Sequence, residues 1–141
     1  MSKIFWNFIL IASLMAVPGA CSRNKYNGVY VGTLRRETQT IAIDKSVSGK
    51  TVEDEENLLV QVKQEGDDVY LTISGSRLLG DCRLQAKLSK NGAAYIDTPQ
   101  TCSESMSLQG SMNKGGEDLL FSLNGYGQTT NQNYRFRGLK K

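Results

Sequence analysis

Apolar and polar residues alternate along most of this 141-residue chain. Segments such as LLVQVKQ, DVYLTIS, CRLQAKLSK, SMSLQGSM, DLLFSLNG and NYRFRGL place an apolar side chain at about every second position. Because successive side chains of a β-strand point to opposite faces, this period predicts half-buried strands, and the helical spacing of three and four residues is nearly absent. Between these segments stand EGDD, KNG, NKGGE and GYGQTTNQN, which carry the Gly, Asn and Asp that tight turns require. The pattern predicts an all-β fold, an antiparallel up-and-down meander of about eight strands that forms a small barrel or a sandwich.

The strand positions follow from the same alternation. We expect strands near residues 26–35, 38–43, 58–64, 68–74, 82–89, 94–98, 106–112, 119–124 and 134–139. The acidic segment TVEDEEN falls between two of them, so the sequence predicts that it is a loop, and the basic end RFRGLKK is expected to form a solvated tail rather than a binding patch.

The first hairpin has a testable register. If Gly66-Asp67 is a two-residue turn, Val62 lies opposite Leu71 and Val60 lies opposite Ile73. Both pairs place two apolar side chains opposite each other. A slip of the register by one residue would move every side chain of the strand to the other face of the sheet. Val60 and Leu71 are therefore predicted core residues.

A second hairpin is treated in the same way. A turn at Lys114-Gly115 places Leu108 opposite Phe121 and Met106 opposite Leu123. This register again buries apolar pairs, so Leu108 and Phe121 are predicted to lie in the core.

The third hairpin contains two of the three cysteines. A three-residue loop, residues 91–93, would pair Leu88 with Ile96 and bring Cys82 opposite Cys102 on one face. Directly opposed residues lie within the short Cα separation that a disulfide needs. We therefore predict a Cys82–Cys102 disulfide with a structural role, worth about 3 kcal/mol for a loop of this size.

The N-terminus has the layout of an export signal. A single positive charge at Lys3 precedes the apolar run IFWNFILIASLMAV and the small residues PGA. This order is typical of a secretory signal peptide, and the run is short for a membrane span, which takes about 20 apolar residues. We expect residues 1–20 to be a signal peptide, residues 21–27 a tether and residues 28–141 a single β-barrel or sandwich domain of common size.

The residues PGAC, which end at Cys21, resemble the lipobox of bacterial lipoproteins. The resemblance implies that Cys21 is thioether-linked to diacylglycerol and becomes the acylated first residue. The alternatives are cleavage after Gly19, which leaves a secreted protein, and an uncleaved anchor. An odd number of cysteines favours the lipobox, because acylation of Cys21 leaves Cys82 and Cys102 as an even pair. Ser22 is not the Asp that retains lipoproteins at the inner membrane in the enterobacterial family rule, so the expected location is the outer membrane of a bacterial envelope.

Composition gives few candidates for chemistry. The chain has no histidine, which excludes Ser-His-Asp and Cys-His nucleophile systems and His-based metal sites. After removal of the signal, 16 Lys and Arg face 14 Asp and Glu, a net charge of about +2 that predicts no nucleic-acid partner. We expect no metal and no cofactor. Carboxylates could still act as a general acid and base in a pair. The candidates are Asp81, Asp97, Glu104 and the segment 52–57.

Aromatic residues concentrate at the two ends of the mature chain. A closed meander would bring Tyr30, Tyr126, Tyr134 and Phe136 side by side, either in the core or around a mouth that holds a small apolar or sugar-like ligand. In architecture the mature region looks like a lipocalin-type small barrel, although fold alone does not fix function.

Three functions follow as expectations. The first is a non-enzymatic envelope lipoprotein, a membrane-tethered β module for binding or scaffolding, whose partners are the membrane and another envelope protein. The second is a lipocalin-like carrier of a small hydrophobic ligand. The third is a carboxylate-based hydrolase.

Acylation of Cys21 is directly testable. Radiolabelled palmitate should enter the wild-type chain, and the Cys21→Ala form should lose the label and leave the membrane fraction, since several acyl chains hold a protein stably in a bilayer. Equal labelling of both chains would contradict the prediction.

Overall fold

The computed structural model describes residues 25–141, and eight antiparallel strands of this range close into a barrel. Each strand pairs with the next along the chain, and the last pairs back with the first. The strands are β1 (Gly28–Ile41), β2 (Val47–Glu65), β3 (Asp68–Ser76), β4 (Gly80–Leu88), β5 (Ala94–Thr101), β6 (Ser107–Gly115), β7 (Asp118–Tyr126) and β8 (Thr130–Lys140). The predicted all-β meander is confirmed, and its architecture is the barrel. The predicted signal peptide and Cys21 lie outside the described residues.

The first two strands are longer than the sequence pattern indicates. Segments 26–35 and 38–43 form one strand, β1, and the predicted loop TVEDEEN belongs to β2. The loop prediction was wrong because β1 supplies partners of opposite charge for this acidic segment. Arg35 lies opposite Asp54, and Arg36 lies opposite Glu53. Such cross-strand pairs favour strand structure.

The β2–β3 hairpin has the predicted turn. Gly66 and Asp67 separate Glu65 from Asp68, and Val62 lies opposite Leu71. Gly66 adopts a φ of 62°, a left-handed conformation that costs glycine little.

The β6–β7 hairpin has a different register from the predicted one. Gly115 lies opposite Asp118, so the turn is Gly116-Glu117 and Phe121 faces Met112. Gly116 takes a φ of 59°, which a lysine at the turn would reach only with steric strain. Since this register differs from the predicted one by four residues, an even number, the same side chains face inward. Leu108 and Phe121 are buried as predicted, and so are Val60 and Leu71.

In the β4–β5 hairpin the predicted register is wrong, but the two cysteines come together as predicted. Leu88 lies opposite Ala94 rather than Ile96, yet Cys82 and Cys102 come within disulfide distance, with Cα atoms 4.4 Å apart. Between the tip of the hairpin and the two cysteines, β5 has two residues more than β4. The pairing of β5 with β6 is interrupted over the same stretch, from Ile96 to Gln100.

The interrupted part of β5 contains Pro99, which has no N–H to donate to a ladder. The neighbouring Gln100 compensates with its side chain. Its Oε1 accepts a hydrogen bond of 2.8 Å from the Gln85 backbone N–H, and its Nε2 donates one of 2.7 Å to the Gln85 carbonyl. A side-chain amide thus bridges β4 and β5 where the backbones do not pair.

Tyr26 closes the lower end of the barrel, the end at which β1 begins. Its side chain is fully buried, and its hydroxyl donates to the carbonyls of Gly92 and Met112 at 2.6 and 3.1 Å. Burial raises the pKa of Tyr26 to about 12. The predicted tether, residues 21–27, is therefore fixed to the barrel at Tyr26.

The turn between β3 and β4 closes the upper end. Leu78 and Leu79 of this turn are buried in the core. Glu55 of β2 holds the turn, since its carboxylate accepts hydrogen bonds from the Ser76 hydroxyl and the Arg77 and Leu78 N–H groups at 2.6, 2.7 and 3.3 Å. Burial raises the pKa of Glu55, but these hydrogen bonds outweigh it and bring the pKa below its usual value.

Gly32 provides a test of barrel closure. A Cβ at this position would collide with the Arg137 carbonyl and the Gly138 Cα of β8, whereas a Cβ at Gly115 would meet nothing within 4 Å. Gly32→Ala should lower the free energy of unfolding by about 1–3 kcal/mol or more, because the β1–β8 backbones must separate. Gly115→Ala is the matched control and should change it by less than about 0.5 kcal/mol. Equal denaturant midpoints for the two variants would contradict this account.

Candidate binding surface on the outer wall of the barrel

Three of the four predicted ligand-lining aromatics lie inside the barrel. Tyr30 and Tyr134 are fully buried, and the Phe136 ring stacks on that of Phe121 with centroids 4.9 Å apart. The Tyr30 hydroxyl donates to the Tyr26 carbonyl at 2.9 Å, and burial raises the pKa of Tyr30. These side chains pack into the core, and a ligand-lining role for them stays a prediction.

Tyr126, the fourth predicted aromatic, lies on the outside. It is 72% exposed, since it follows the inward-facing Gly125 of β7. The structure therefore does not bring the four aromatics around one mouth.

Several of the candidate carboxylates, among them Glu53, Asp54 and Asp81, are held by structural contacts. The Arg36 guanidinium binds Glu53 and lowers the pKa of its carboxyl, and Arg35 does the same for Asp54. Asp81 accepts a hydrogen bond of 2.9 Å from the Gly75 N–H. A general acid needs a raised pKa, and the shifts of Glu53 and Asp54 go the other way.

A groove of about 690 Å³ lies on the outer wall, across β1, β8, β7 and β6. We call it the arginine groove. Its lining side chains on the outer face are Thr33 and Arg35 of β1, Arg135 and Arg137 of β8, Leu120 and Ser122 of β7, and Ser111 and Asn113 of β6.

The strand register arranges these side chains in two parallel rows. The first row runs Arg35, Arg135, Ser122, Ser111, and the second runs Thr33, Arg137, Leu120, Asn113. The Ser and Thr side chains are short, so the surface of the wall is lower at their positions. The longer arginine side chains flank this depression. Across four strands a row is about 14 Å long.

The charge of the groove is only partly compensated. Arg35 forms a two-pronged ion pair with Asp54 at 2.8 and 3.0 Å, and Arg137 lies 3.4 Å from Asp118. Arg135 makes no ion pair with any residue of the range 25–141. Yet Arg135 lies directly opposite Arg35, and like charges in such a position destabilise a sheet. Within the described residues, the groove therefore presents one guanidinium group without an ion pair, that of Arg135, to solvent.

A row of amides borders the arginine groove on its upper side. Asn133, Asn124 and Gln109 lie opposite one another on β8, β7 and β6, and the Asn133 amide donates to Asn124. We call these three residues the amide row. Tyr126 stands beside it and lines two smaller grooves of about 220 and 290 Å³.

Sequence reasoning missed this surface. The sequence predicts a strand near residues 134–139 but treats the charges of RFRGLKK as those of a solvated tail rather than of a binding patch. In the structure these residues, apart from Lys141, belong to β8, where alternation sends Arg135 and Arg137 outward. The alternating arginines were a signal for an outward basic face. The sequence does not show that β8 pairs with β1, a strand about 100 residues earlier. This pairing adds Arg35 to the cluster.

Residues 25–141 contain no group of three or more Cys, Asp or Glu that could hold a metal ion. No helix within this range is long and apolar enough to cross a membrane. Comparisons with family models, with characterised proteins and with solved structures gave no match.

Proposed function

We propose that this protein is a non-enzymatic lipoprotein of the bacterial cell envelope, a membrane-tethered β-barrel that binds a partner or ligand on its outer wall. The observation that carries the proposal is the contrast between the two sides of the wall. The interior is occupied by core side chains and covered by Tyr26 below and by Leu78 and Leu79 above. The outer wall carries an open groove lined by three arginines, of which Arg135 makes no ion pair within the described residues.

The packed interior argues against the carrier alternative. A small barrel of eight strands holds a ligand only where inward side chains leave space. Here the inward positions of neighbouring strands carry large side chains in mutual contact, such as Leu34, Met112, Phe121 and Phe136. The hydrolase alternative is weaker as well, because Glu53 and Asp54 are bound by arginines that keep them ionised.

Native mass spectrometry of the full chain, released from detergent micelles, separates the first two functions. We expect the mass of the processed, acylated chain with no further small molecule, because the core side chains leave no room for one. One non-covalent ligand per chain, of fatty-acid or lipid size, would contradict the proposal and favour the carrier.

The tether defines how the barrel sits on the membrane. Tyr26 is locked in the lower end, and Cys21 precedes it by five residues, a reach of at most about 18 Å. If Cys21 is acylated and inserted in the outer membrane, the lower end must face the lipid. This end carries the three-residue tip Lys90–Gly92 of the β4–β5 hairpin, whereas the turn after β1 lies at the far end, about 45 Å along that strand.

Lipid quenching of a fluorophore tests this orientation. Lys90→Cys and Ile43→Cys place a label at exposed positions of the lower and upper ends. In vesicles with brominated acyl chains, we expect strong quenching at position 90 and little at position 43, since only the lower end can reach the bilayer. Equal quenching, or the reverse order, would overturn the proposed tethering.

A further inference from the structure

We infer that the arginine groove and the amide row together bind an anionic glycan, a saccharide chain that carries carboxylate or phosphate groups. The inference rests on the proposed function, which makes the outer wall the binding surface, and it names the class of ligand.

The anionic part of the ligand follows from the guanidinium groups. Arg135 lacks an ion pair within the described chain and faces Arg35, whose own partner Asp54 lies on the far side, in β2. Arginine binds carboxylate and phosphate through two parallel hydrogen bonds. An anion placed between Arg35 and Arg135 would remove the repulsion that the register imposes on them.

The saccharide part follows from the neighbouring side chains. Amides such as those of Asn124, Asn133 and Gln109 offer donors and acceptors side by side, a match for the hydroxyl groups of a sugar. Tyr126 projects from the wall beside them with 72% of its surface exposed, which provides a flat apolar face for a sugar ring. Ser111 and Ser122 add hydroxyl groups on the floor of the groove.

The position of the groove within the sheet argues against an acidic peptide as the occupant. A peptide that binds by strand addition needs a free sheet edge, where its backbone can form hydrogen bonds. Strands β7 and β8 are paired on both sides along the groove, so their backbone groups are already used. Only side chains are available to a ligand here, and they are the groups that recognise hydroxyls and anions.

The groove is open along its length rather than a closed pocket. Its two rows cross four strands, and Arg135 also lines the neighbouring groove that contains Asn124, Asn133 and Tyr126. A polymer can lie across such a surface with several units in contact, which a compact ligand would not require.

The test uses the full chain in detergent micelles and affinity electrophoresis against defined polymers. The probes are polygalacturonate for carboxylate, phosphorylated mannan for phosphate, and dextran as a neutral glycan. Poly-glutamate and single-stranded oligodeoxythymidylate represent the acidic peptide and nucleic-acid occupants. We expect retardation by one or both anionic glycans and none by dextran, and the stronger of the two glycans identifies the anion.

Matched variants locate the binding. Arg135→Gln should weaken anionic-glycan binding at least tenfold, and Tyr126→Ala should weaken it severalfold. Arg83→Gln and Tyr70→Ala change the same residue types in a groove of about 270 Å³ on the wall of β2, β3 and β4, and they should leave binding unchanged. Thermal unfolding of Tyr126→Ala, Arg83→Gln and Tyr70→Ala should match the wild type, because none of these side chains belongs to the buried core. Arg135→Gln should unfold at the same or a slightly higher temperature, because it removes the repulsion from Arg35.

Several results would overturn the inference. Equal loss in Arg83→Gln would show binding by overall charge, and tighter binding of poly-glutamate or the oligonucleotide would assign a different occupant. If no glycan binds while lipid quenching and native mass spectrometry give the expected results, the glycan inference fails and the proposed function stands. If the quenching order is reversed but Arg135→Gln abolishes glycan binding, the proposed function fails and the glycan inference stands.

Discussion

The pairing of β1 with β8 is the contact on which the rest of this structure depends. It runs from Tyr30 opposite Lys140 to Thr40 opposite Thr130, and it joins the two ends of the domain. Without it the meander would have two free edges, which are exposed to pairing with other chains. Closure is possible because Gly32 and Gly138 face each other where the two backbones come too close for a Cβ on Gly32. The same contact packs Leu34 beside Phe136 inside and sets Arg35 beside Arg135 outside.

The inward and outward faces of the barrel wall differ in their side chains. The inward positions form one apolar core, and both ends are covered by side chains that the chain itself supplies, Tyr26 below and the β3–β4 turn above. Where Pro99 interrupts the ladder, Gln100 restores hydrogen bonding through its amide, so the wall stays closed. The core is filled, and on the outer wall arginines and amides lie in rows across the strands.

The tether and the wall together suggest how such a module would work in an envelope. A barrel held by its lower end exposes its sides and its upper end to the surrounding space. The extended β1–β2 hairpin lies at that upper end, away from the proposed membrane contact.

The sequence by itself determined the fold class, the inward residues and the cysteine pair, because a period of two assigns each side chain to a face whatever the exact register. Leu108 and Phe121 are buried although the register of their hairpin is offset by four residues, and Cys82 meets Cys102 although the register next to the tip of their hairpin is offset by two. Only the tertiary structure decided that the sheet closes into a barrel, that the segment TVEDEEN is a strand and that Tyr126 is separate from the buried aromatics. The arginine groove also required it, since Arg35 and Arg135 are neighbours only through the β1–β8 contact, and no local pattern encodes a pairing between the two ends of a chain.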